Sequence, residues 1–186
     1  QTPFAIIKES FYSFYMKHMK KSYIIAFWSP FSLHNIQFYT DFFSIYLRKY
    51  GNIQCLDCQN HQDPRTLRLL HQMDLVIIGL PQDPHLLTSY FCHPFEHFTN
   101  IRYAIIDYFS QGAIDVKTLC RQYRIPESQL ARIPYNARYL EALRLGQASR
   151  YLEFNGRNSS YEEIIDFQNE LKRTGRLFLQ ALENGS

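Results

Sequence analysis

Two stretches of the chain are apolar throughout, which is the pattern of strands covered on both faces of a sheet. They run from Tyr23 to Trp28, just before Ser29 and Pro30, and from Leu75 to Leu80. After the first stretch, apolar residues recur every three or four positions until Gly51, as on the buried face of a helix that ends at a glycine. These residues are Ile36, Tyr39, Phe43, Leu47 and Tyr50. The chain therefore begins its fold with a strand, a loop and a helix.

The alternation of strand and helix continues along the chain. Further strands are predicted at Ile53 to Leu56, Ile101 to Ile106 and Ala131 to Ile133, and further helices at Pro64 to Met73, Val116 to Tyr123, Ala137 to Leu145 and Tyr161 to Leu182. Strands that alternate with helices pair in parallel through right-handed crossovers. The pattern predicts one three-layer, doubly wound α/β domain over residues 22–186, with a mainly parallel sheet. We expect the Tyr23 strand to be central and the Leu75 strand to lie beside it.

Residues 1–21 do not follow this alternation and are predicted to be an N-terminal extension or arm. They combine aromatic residues with lysines: Phe11, Tyr12, Phe14, Tyr15, Lys17, Lys20 and Lys21. Four interpretations fit this composition: an amphipathic helix packed on its own domain, an interfacial membrane anchor, an arm that grips a partner, and sequence upstream of a start at Met16 or Met19. The pattern alone leaves these alternatives open.

Composition supports one ordinary globular domain. A chain of 186 residues with 46% hydrophobic and 20% charged residues can bury a substantial core and is not of the disordered or fibrous class. The aromatic fraction of 16% is high and indicates exposed aromatic surface that can bind other molecules, as well as a well-packed core. A net charge of +3 is too small to indicate nucleic acid by itself.

The cysteines favour a reducing compartment, and no metal site is expected. Cys55, Cys58, Cys92 and Cys120 are few for this length, no secretory leader pattern precedes them, and no apolar run approaches the roughly 18 residues that cross a bilayer. Cys55 and Cys58 have CxxC spacing but no second pair. Near Cys92, Pro94 disfavours a regular helix that would present His93 and His97 together. We therefore predict that these five residues bind no metal: Cys55, Cys58, Cys92, His93 and His97.

Ligands of doubly wound sheets lie beyond the carboxyl ends of the strands. In this chain those loops are Ser29 to Gln37, Asp57 to Asn60, Pro81 to Pro84, Asp107 to Gln111 and Pro134 to Asn136.

Four segments resemble the MinD/ParA family of deviant Walker ATPases, in the short form found near the TadZ/CpaE pilus-localisation proteins. The resemblance spans roughly residues 20–154. Ile24 to Pro30 resembles the strand that enters the phosphate loop, Cys55 to Asp57 the strand end with the switch aspartate, and Asp74 to Pro81 the Walker B segment. Arg132 to Asn136, followed by Glu141, Ala142 and Gly146, resembles the late IPY loop and its helix. The resemblance implies a P-loop NTPase-like fold of the SIMIBI/MinD type.

The chain departs from this family at the residues that handle phosphate. Where the family has a glycine-rich loop with lysines, this chain has Phe31 to Gln37. Phe31 and Ile36 stand in place of the two lysines, and Gln37 stands in place of the hydroxyl that holds Mg²⁺. Gly79 replaces the metal-linked carboxylate. Phosphoryl transfer depends on these groups, so the resemblance implies an inactive relative and not an enzyme.

The resemblance also places a vestigial nucleotide cleft. Its expected residues are Pro30, Ser32, Asn35, Gln37, Asp57, Asp107, Pro134 and Asn136. Asp107 stands where the family places an adenine-contacting asparagine, and Pro134 and Asn136 lie beside the base. No catalytic residue and no cofactor is predicted. ATP is the one ligand that such a cleft would retain, through contacts to the base alone.

Three functions remain in competition. The leading one is a non-catalytic MinD/ParA-like pseudo-ATPase that acts as a protein-interaction or localisation scaffold for a pilus, secretion or partition assembly. Its partner would be itself or an active homologous ATPase. The protein would be cytoplasmic, with recruitment to the inner face of the membrane through residues 4–21 as a further expectation.

The second function is a nucleotide-dependent switch ATPase with an atypical loop that uses His34, Asn35 and Asp57. The third is a DNA-binding, partition-type protein. It is suggested by a basic stretch whose cations are Lys117, Arg121, Arg124, Arg132, Arg138, Arg144 and Arg150, against Asp115, Glu127 and Glu141. Scattered arginines on helices usually form a solvated face, so nucleic acid is the least expected partner.

Overall fold

The computed structural model describes residues 22–33, 35–92, 98–112, 114–147, 150–151 and 162–184. The predictions made for residues 1–21, His34, His93 and His97 therefore lie outside the described residues. The strands are β1 (Tyr23–Trp28), β2 (Ile53–Gln59), β3 (Leu75–Pro81), β4 (Ile101–Tyr108) and β5 (Leu130–Pro134). The helices are α1 (Ile36–Leu47), α2 (Pro64–Leu70), α3 (Pro84–Cys92), α4 (Val116–Tyr123), α5 (Ala137–Arg144) and α6 (Glu162–Asn184), with a 3₁₀ turn at Glu127–Gln129.

The five strands form one parallel sheet in the order β2-β1-β3-β4-β5. This is one of the common orders of doubly wound α/β folds. The predicted parallel pairing of β1 with β3 is confirmed, with Ile25 opposite Leu75 and Phe27 opposite Ile77. The prediction that β1 is the central strand needs a correction, because β3 occupies the middle position. Both strands are interior and buried on both faces, which is why their apolar patterns are alike.

Two apolar cores lie on opposite faces of the sheet. On the first face, α1, α5 and α6 pack over strand residues that include Phe27 and Ile77. On the second face, α2, α3 and α4 pack over strand residues that include Trp28 and Ile78. Ile77 is 1% exposed, as the interpretation of β3 as a doubly covered strand requires. The helices therefore sandwich the sheet, and the functional surfaces are left at its ends and edges.

Helix starts are fixed by short polar side chains. Asp63 accepts hydrogen bonds from the amides of Arg65 and Thr66 at the start of α2, and Pro64 occupies the first turn. Asp115 caps α4 in the same way through Thr118 N. These local signals explain why both helices begin where the sequence predicts.

Helix α3 was not predicted, although Asp83 and Pro84 repeat the start signal of α2. The Asp83 carboxylate accepts hydrogen bonds from the amides of His85 and Leu86. Leu87, Tyr90 and Phe91 have the three- and four-residue spacing of a helix face, although only Leu87 and Tyr90 are buried.

Strands β2 and β4 extend further than predicted. β2 continues through Asp57 to Gln59, because an edge strand accommodates polar residues that would not fit the interior of the sheet. β4 continues through Asp107 to Tyr108. Asp57 and Asp107 thus belong to strands and not to the loops that follow them.

The outer edge of β5 is covered by contacts from the final helix. The Thr174 hydroxyl on α6 donates a hydrogen bond to the Arg132 carbonyl at 3.0 Å, and Pro134 has no amide proton to offer. α6 also approaches α1 closely at Gly175, where any Cβ would collide with the ring of Tyr46. Within the described part of the chain, no helix is both long and apolar enough to cross a membrane.

Candidate functional site

The switch point of the sheet lies between β1 and β3, where successive connections leave in opposite directions. The loop that follows β1 crosses this point and leads into α1. It is held by its own polar groups: Ser29 N donates to the Gln59 carbonyl at 2.8 Å, and Phe31 N donates to Ser29 Oγ at 3.0 Å. Gln62 donates to the Pro30 carbonyl at 2.9 Å. The loop is thus tied to β2 and to the segment after it.

Apolar side chains of this loop and of α1 cover Gly79 on β3. A Cβ atom built on Gly79 would lie 2.9 Å from Ile36 Cδ1, 3.3 Å from Ile106 Cγ1 and 3.4 Å from Leu33 Cδ1. Ile36 is 3% exposed, and Leu33 packs against the same core. This part of β3 is therefore covered by hydrocarbon.

Asp107 joins β4 to α1 through two hydrogen bonds. Asn35 Nδ2 donates to Asp107 Oδ2 at 2.7 Å, and the Tyr39 hydroxyl donates to Asp107 Oδ1 at 2.8 Å. Tyr39 is fully buried, and its burial, followed by the charge of Asp107, raises the pKa of its phenol. Both carboxylate oxygens are thus engaged by the chain itself.

The backbone of Asp107 is left-handed, with φ of 54°, and the pairing of β4 with β5 shifts register here. As a result Ile106 packs on the first face of the sheet while Tyr108 packs on the second. Residues two apart in a regular strand would share a face. The bulge turns Asp107 toward α1 and explains why its side chain meets Asn35 and Tyr39.

Asn136 serves the start of α5. It is 3% exposed, and its Oδ1 accepts hydrogen bonds from Tyr139 N at 2.8 Å and from the Tyr151 hydroxyl at 3.0 Å. Pro134 ends β5 just before it. A side-chain oxygen that already holds two donors in the interior has little capacity left for a ligand.

The predicted cleft residues thus separate into groups. Asn35 and Asp107 meet directly, whereas Asp57 lies on β2 and accepts a hydrogen bond from Gln59 N at 2.9 Å, a local Asx turn. Ser32 and Gln37 are exposed, and Pro30 is half-buried. Of the three residues named for the atypical switch site, Asn35 is bonded to Asp107, Asp57 lies on β2, and His34 lies outside the described residues.

Cys55 and Cys58 have the environment of inert thiols. Burial raises the pKa of Cys55 to about 12 and that of Cys58 to about 11, and all four cysteines are free. Among the described residues, no three histidine, cysteine or acidic side chains are grouped as a metal site would require.

The basic residues after position 116 are distributed over several elements. Lys117 and Arg121 lie on α4, which covers the second face of the sheet, whereas Arg138 and Arg144 lie on α5, which covers the first. Arg132 is paired with Glu170 at 3.0 Å. Among the described residues, these cations are therefore divided between the two faces of the sheet and the edge strand β5.

Two exposed aromatic side chains lie at the same end of the sheet: Tyr135, the tyrosine of the IPY segment, and Phe109, which the sequence analysis did not name. Phe109 follows β4 and is 53% exposed, and Tyr135 follows β5 and is 48% exposed. The two loops are neighbours, since Tyr135 N donates to the Tyr108 carbonyl at 2.9 Å. We call Phe109 and Tyr135 the aromatic rim.

The Phe109 loop is held in place by Gln82. Gln82 Nε2 donates to the carbonyls of Phe109 at 3.0 Å and Ile114 at 2.7 Å, and Phe109 N donates to Gln82 Oε1 at 2.7 Å. The side-chain amide of Gln82 therefore pairs with backbone groups of this loop as the backbone amide of a neighbouring strand would. The signal in the sequence was its position directly after β3, where side chains reach the ligand-binding end of the sheet.

No protein-family model matches the chain, and no curated protein matches its sequence.

Proposed function

We propose that this domain is a non-catalytic protein-interaction domain, a degenerate MinD/ParA-like pseudo-ATPase that works as a scaffold. The observation that carries the proposal is the packing of Leu33 and Ile36 onto Gly79. A phosphate-binding loop presents backbone amides and cations to its ligand, whereas this loop presents methyl groups to the core.

The electrostatics of the loop support the same conclusion. Residues 29–37 contain neither lysine nor arginine, while Asp107 places a carboxylate beside Asn35 and Tyr39. A nucleotide polyphosphate would meet a negative group without a compensating cation and would have to displace well-packed hydrocarbon. Binding without charge-assisted phosphate contacts loses most of what makes this ligand class tight.

The partner that we assign is a second copy of the chain, which would dock on the aromatic rim. The MinD/ParA resemblance implies association across the ligand end of the sheet, and Phe109 and Tyr135 lie at that end. Aromatic side chains that remain exposed on anchored loops are suited to such a contact, because little entropy is lost when they are covered. A two-fold dimer would bring each rim against its equivalent.

Sedimentation velocity over a concentration series tests this function. We expect the wild-type protein to form a dimer, and the double variant Phe109→Asp with Tyr135→Asp to remain monomeric at tenfold higher concentration. Leu145→Asp is the matched control, because Leu145 is 61% exposed and lies at the end of α5. This control should dimerise like the wild type. A wild-type protein that stays monomeric throughout, or a rim variant that still dimerises, would refute the assigned partner.

A further inference from the structure

A pocket of about 270 Å³ lies at the outer edge of β5, far along the sheet from the switch point. Its walls come from the start of α4, the 3₁₀ turn before β5, and the middle of α6. The apolar part of its lining includes Leu130 and Leu177, and the polar part includes Lys117, Glu127, Arg132, Glu170 and Arg173. None of these residues belongs to the cleft predicted from the sequence.

Arg132 is fixed in the wall of this pocket. Its Nε and Nη2 donate to the two carboxylate oxygens of Glu170 at 3.0 and 3.2 Å, and its guanidinium lies 5.8 Å from the centre of the Tyr108 ring. The hydrogen bond to Glu170 raises the pKa of Arg132, which therefore stays charged. A guanidinium has five N–H groups, so this one retains donors beyond the two that Glu170 takes.

The charges of the lining do not cancel. The lining has three cations and two carboxylates, so its net charge is +1. Because Arg132 is paired with Glu170, the remaining groups are Lys117, Arg173 and Glu127. Within the part of the chain that the structure describes, the Lys117 ammonium has no carboxylate within 4.0 Å. Arg173 lies 3.5 Å from Glu170, the acidic group that it also shares with Arg132, and its side chain is 71% exposed.

We propose that this pocket binds a small organic monoanion, a carboxylate carried on an apolar body. The carboxylate would lie among Lys117, Arg132 and Arg173, and the body would cover Leu130 and Leu177. One surplus positive charge matches one negative charge. A phosphate dianion is less suited, because Glu127 and Glu170 oppose its second charge and it has nothing to place on the apolar wall.

An added strand from a partner is a less suitable occupant of this edge. Thr174 already donates to the Arg132 carbonyl, and Pro134 has no amide proton. A partner strand could therefore not form a complete set of backbone hydrogen bonds with β5. The pocket therefore selects for a compact ligand. This site is independent of the aromatic rim, and its test does not depend on self-association.

The test is a titration of the ¹⁵N-labelled full chain by two-dimensional NMR with three probes. Benzoate carries both a carboxylate and an apolar ring, benzyl alcohol keeps the ring without the charge, and inorganic phosphate keeps the charge without the ring. We expect saturable shifts with benzoate at the amides of Lys117, Arg132 and Thr174. Affinity for each of the other two probes should be at least tenfold weaker.

Variants separate this site from general surface binding. Lys117→Gln combined with Arg173→Gln should weaken benzoate at least tenfold and leave the rest of the spectrum unchanged, because both side chains are exposed. Arg132→Lys keeps the positive charge but loses the planar guanidinium, and it should also weaken the binding of benzoate. Arg144→Gln is the control, since Arg144 is 81% exposed and pairs only with its helix neighbour Glu141 at 3.6 Å. Equal shifts with benzyl alcohol, shifts outside the pocket, or an undiminished affinity in the double variant would overturn the proposal.

Discussion

Ile36 lies so close to Gly79 that a Cβ atom on residue 79 would be 2.9 Å from Ile36 Cδ1. The contact joins the first turn of α1 to the middle strand of the sheet. Gly79 lies in the segment that resembles the Walker B segment of the MinD/ParA family. The absence of a side chain at residue 79 is thus coupled to the presence of a large one at residue 36.

Restoring a carboxylate at this position should destabilise the protein. We expect Gly79→Asp to lower the free energy of unfolding by about 2 to 4 kcal/mol, because a charged group would be buried against Ile36, Ile106 and Leu33. Urea unfolding measures this loss. The loss should grow as pH rises from 4 to 8, since burial raises the pKa of the introduced carboxyl and the folded state resists its ionisation.

Gly79→Ala is the matched control for this prediction. Its methyl group is uncharged and meets the Cδ1 ends of Ile36 and Leu33 and, less closely, Ile106 Cγ1, so the loss should be about 1 kcal/mol and independent of pH. If Gly79→Asp were as stable as wild type, the cover formed by Leu33 and Ile36 would be open, and the argument against a phosphate site would fail.

Mg-ATP should not stabilise the protein. A ligand that binds only the folded state at a hundred times its dissociation constant adds about 2.7 kcal/mol, which a melting experiment detects. We expect no shift of the melting temperature at millimolar Mg-ATP and no release of phosphate. A reproducible increase of several degrees that Asp57→Ala abolishes would instead favour the nucleotide-dependent switch.

Removing the buried Tyr39 hydroxyl should destabilise the domain through Asp107. Tyr39→Phe keeps the ring stacked on Tyr139, with 6.3 Å between the ring centres. It removes the 2.8 Å hydrogen bond that the Tyr39 hydroxyl donates to the Asp107 carboxylate. Hydrogen bonds to charged groups contribute about 1.5 to 3 kcal/mol, and we expect a loss in this range by urea unfolding. Tyr135→Phe, on the exposed rim, should change stability by less than about 0.5 kcal/mol. An equal effect of the two variants would contradict the assigned role of Tyr39.

Stability should fall in alkaline solution. Burial raises the pKa of Cys58 to about 11, of Cys55 to about 12 and of Tyr139 to about 12, so the folded state keeps protons that the unfolded state releases above about pH 8.5 for thiols and pH 10 for phenols. The free energy of unfolding therefore decreases as pH rises through this window. Urea unfolding at pH 8, 9 and 10 measures the slope.

The thiol part of this slope is separable. Cys55→Ala combined with Cys58→Ala should flatten the decrease between pH 8 and 10, where phenols contribute little. An unchanged slope in the double variant would mean that these thiols are accessible to solvent in the folded state.

The parts of the fold that the sequence predicts are those whose pattern repeats. The apolar runs of β1 and β3 and the periodic face of α1 are set by burial on defined faces, so residue type alone reveals them. The order of the strands is not predictable in this way, because β1 and β3 are equally apolar and yet only β3 occupies the middle position. Register and order depend on contacts between segments far apart in the chain.

The site was less predictable for a related reason. Asn35 and Asp107 were both named from the sequence, but their direct contact depends on the left-handed backbone of Asp107, which no local pattern announces. Tyr39 was read only as a core residue, because its ring is apolar and its hydroxyl partner lies 68 residues away. The β5 pocket was missed entirely, since its walls come from three separate segments.

Helix α6 has a consequence for the order in which the protein is made. It supplies Phe167, Leu171, Phe178 and Leu182 to the core on the first face of the sheet, yet it is synthesised after every strand beneath it. At a typical 5 to 20 residues per second, about ten seconds separate the synthesis of β4 from that of the end of α6. During this interval Phe27 and Ile77 are not yet covered by α6. A ribosome-bound chain that stops short of α6 therefore exposes an apolar sheet face, which other proteins can bind.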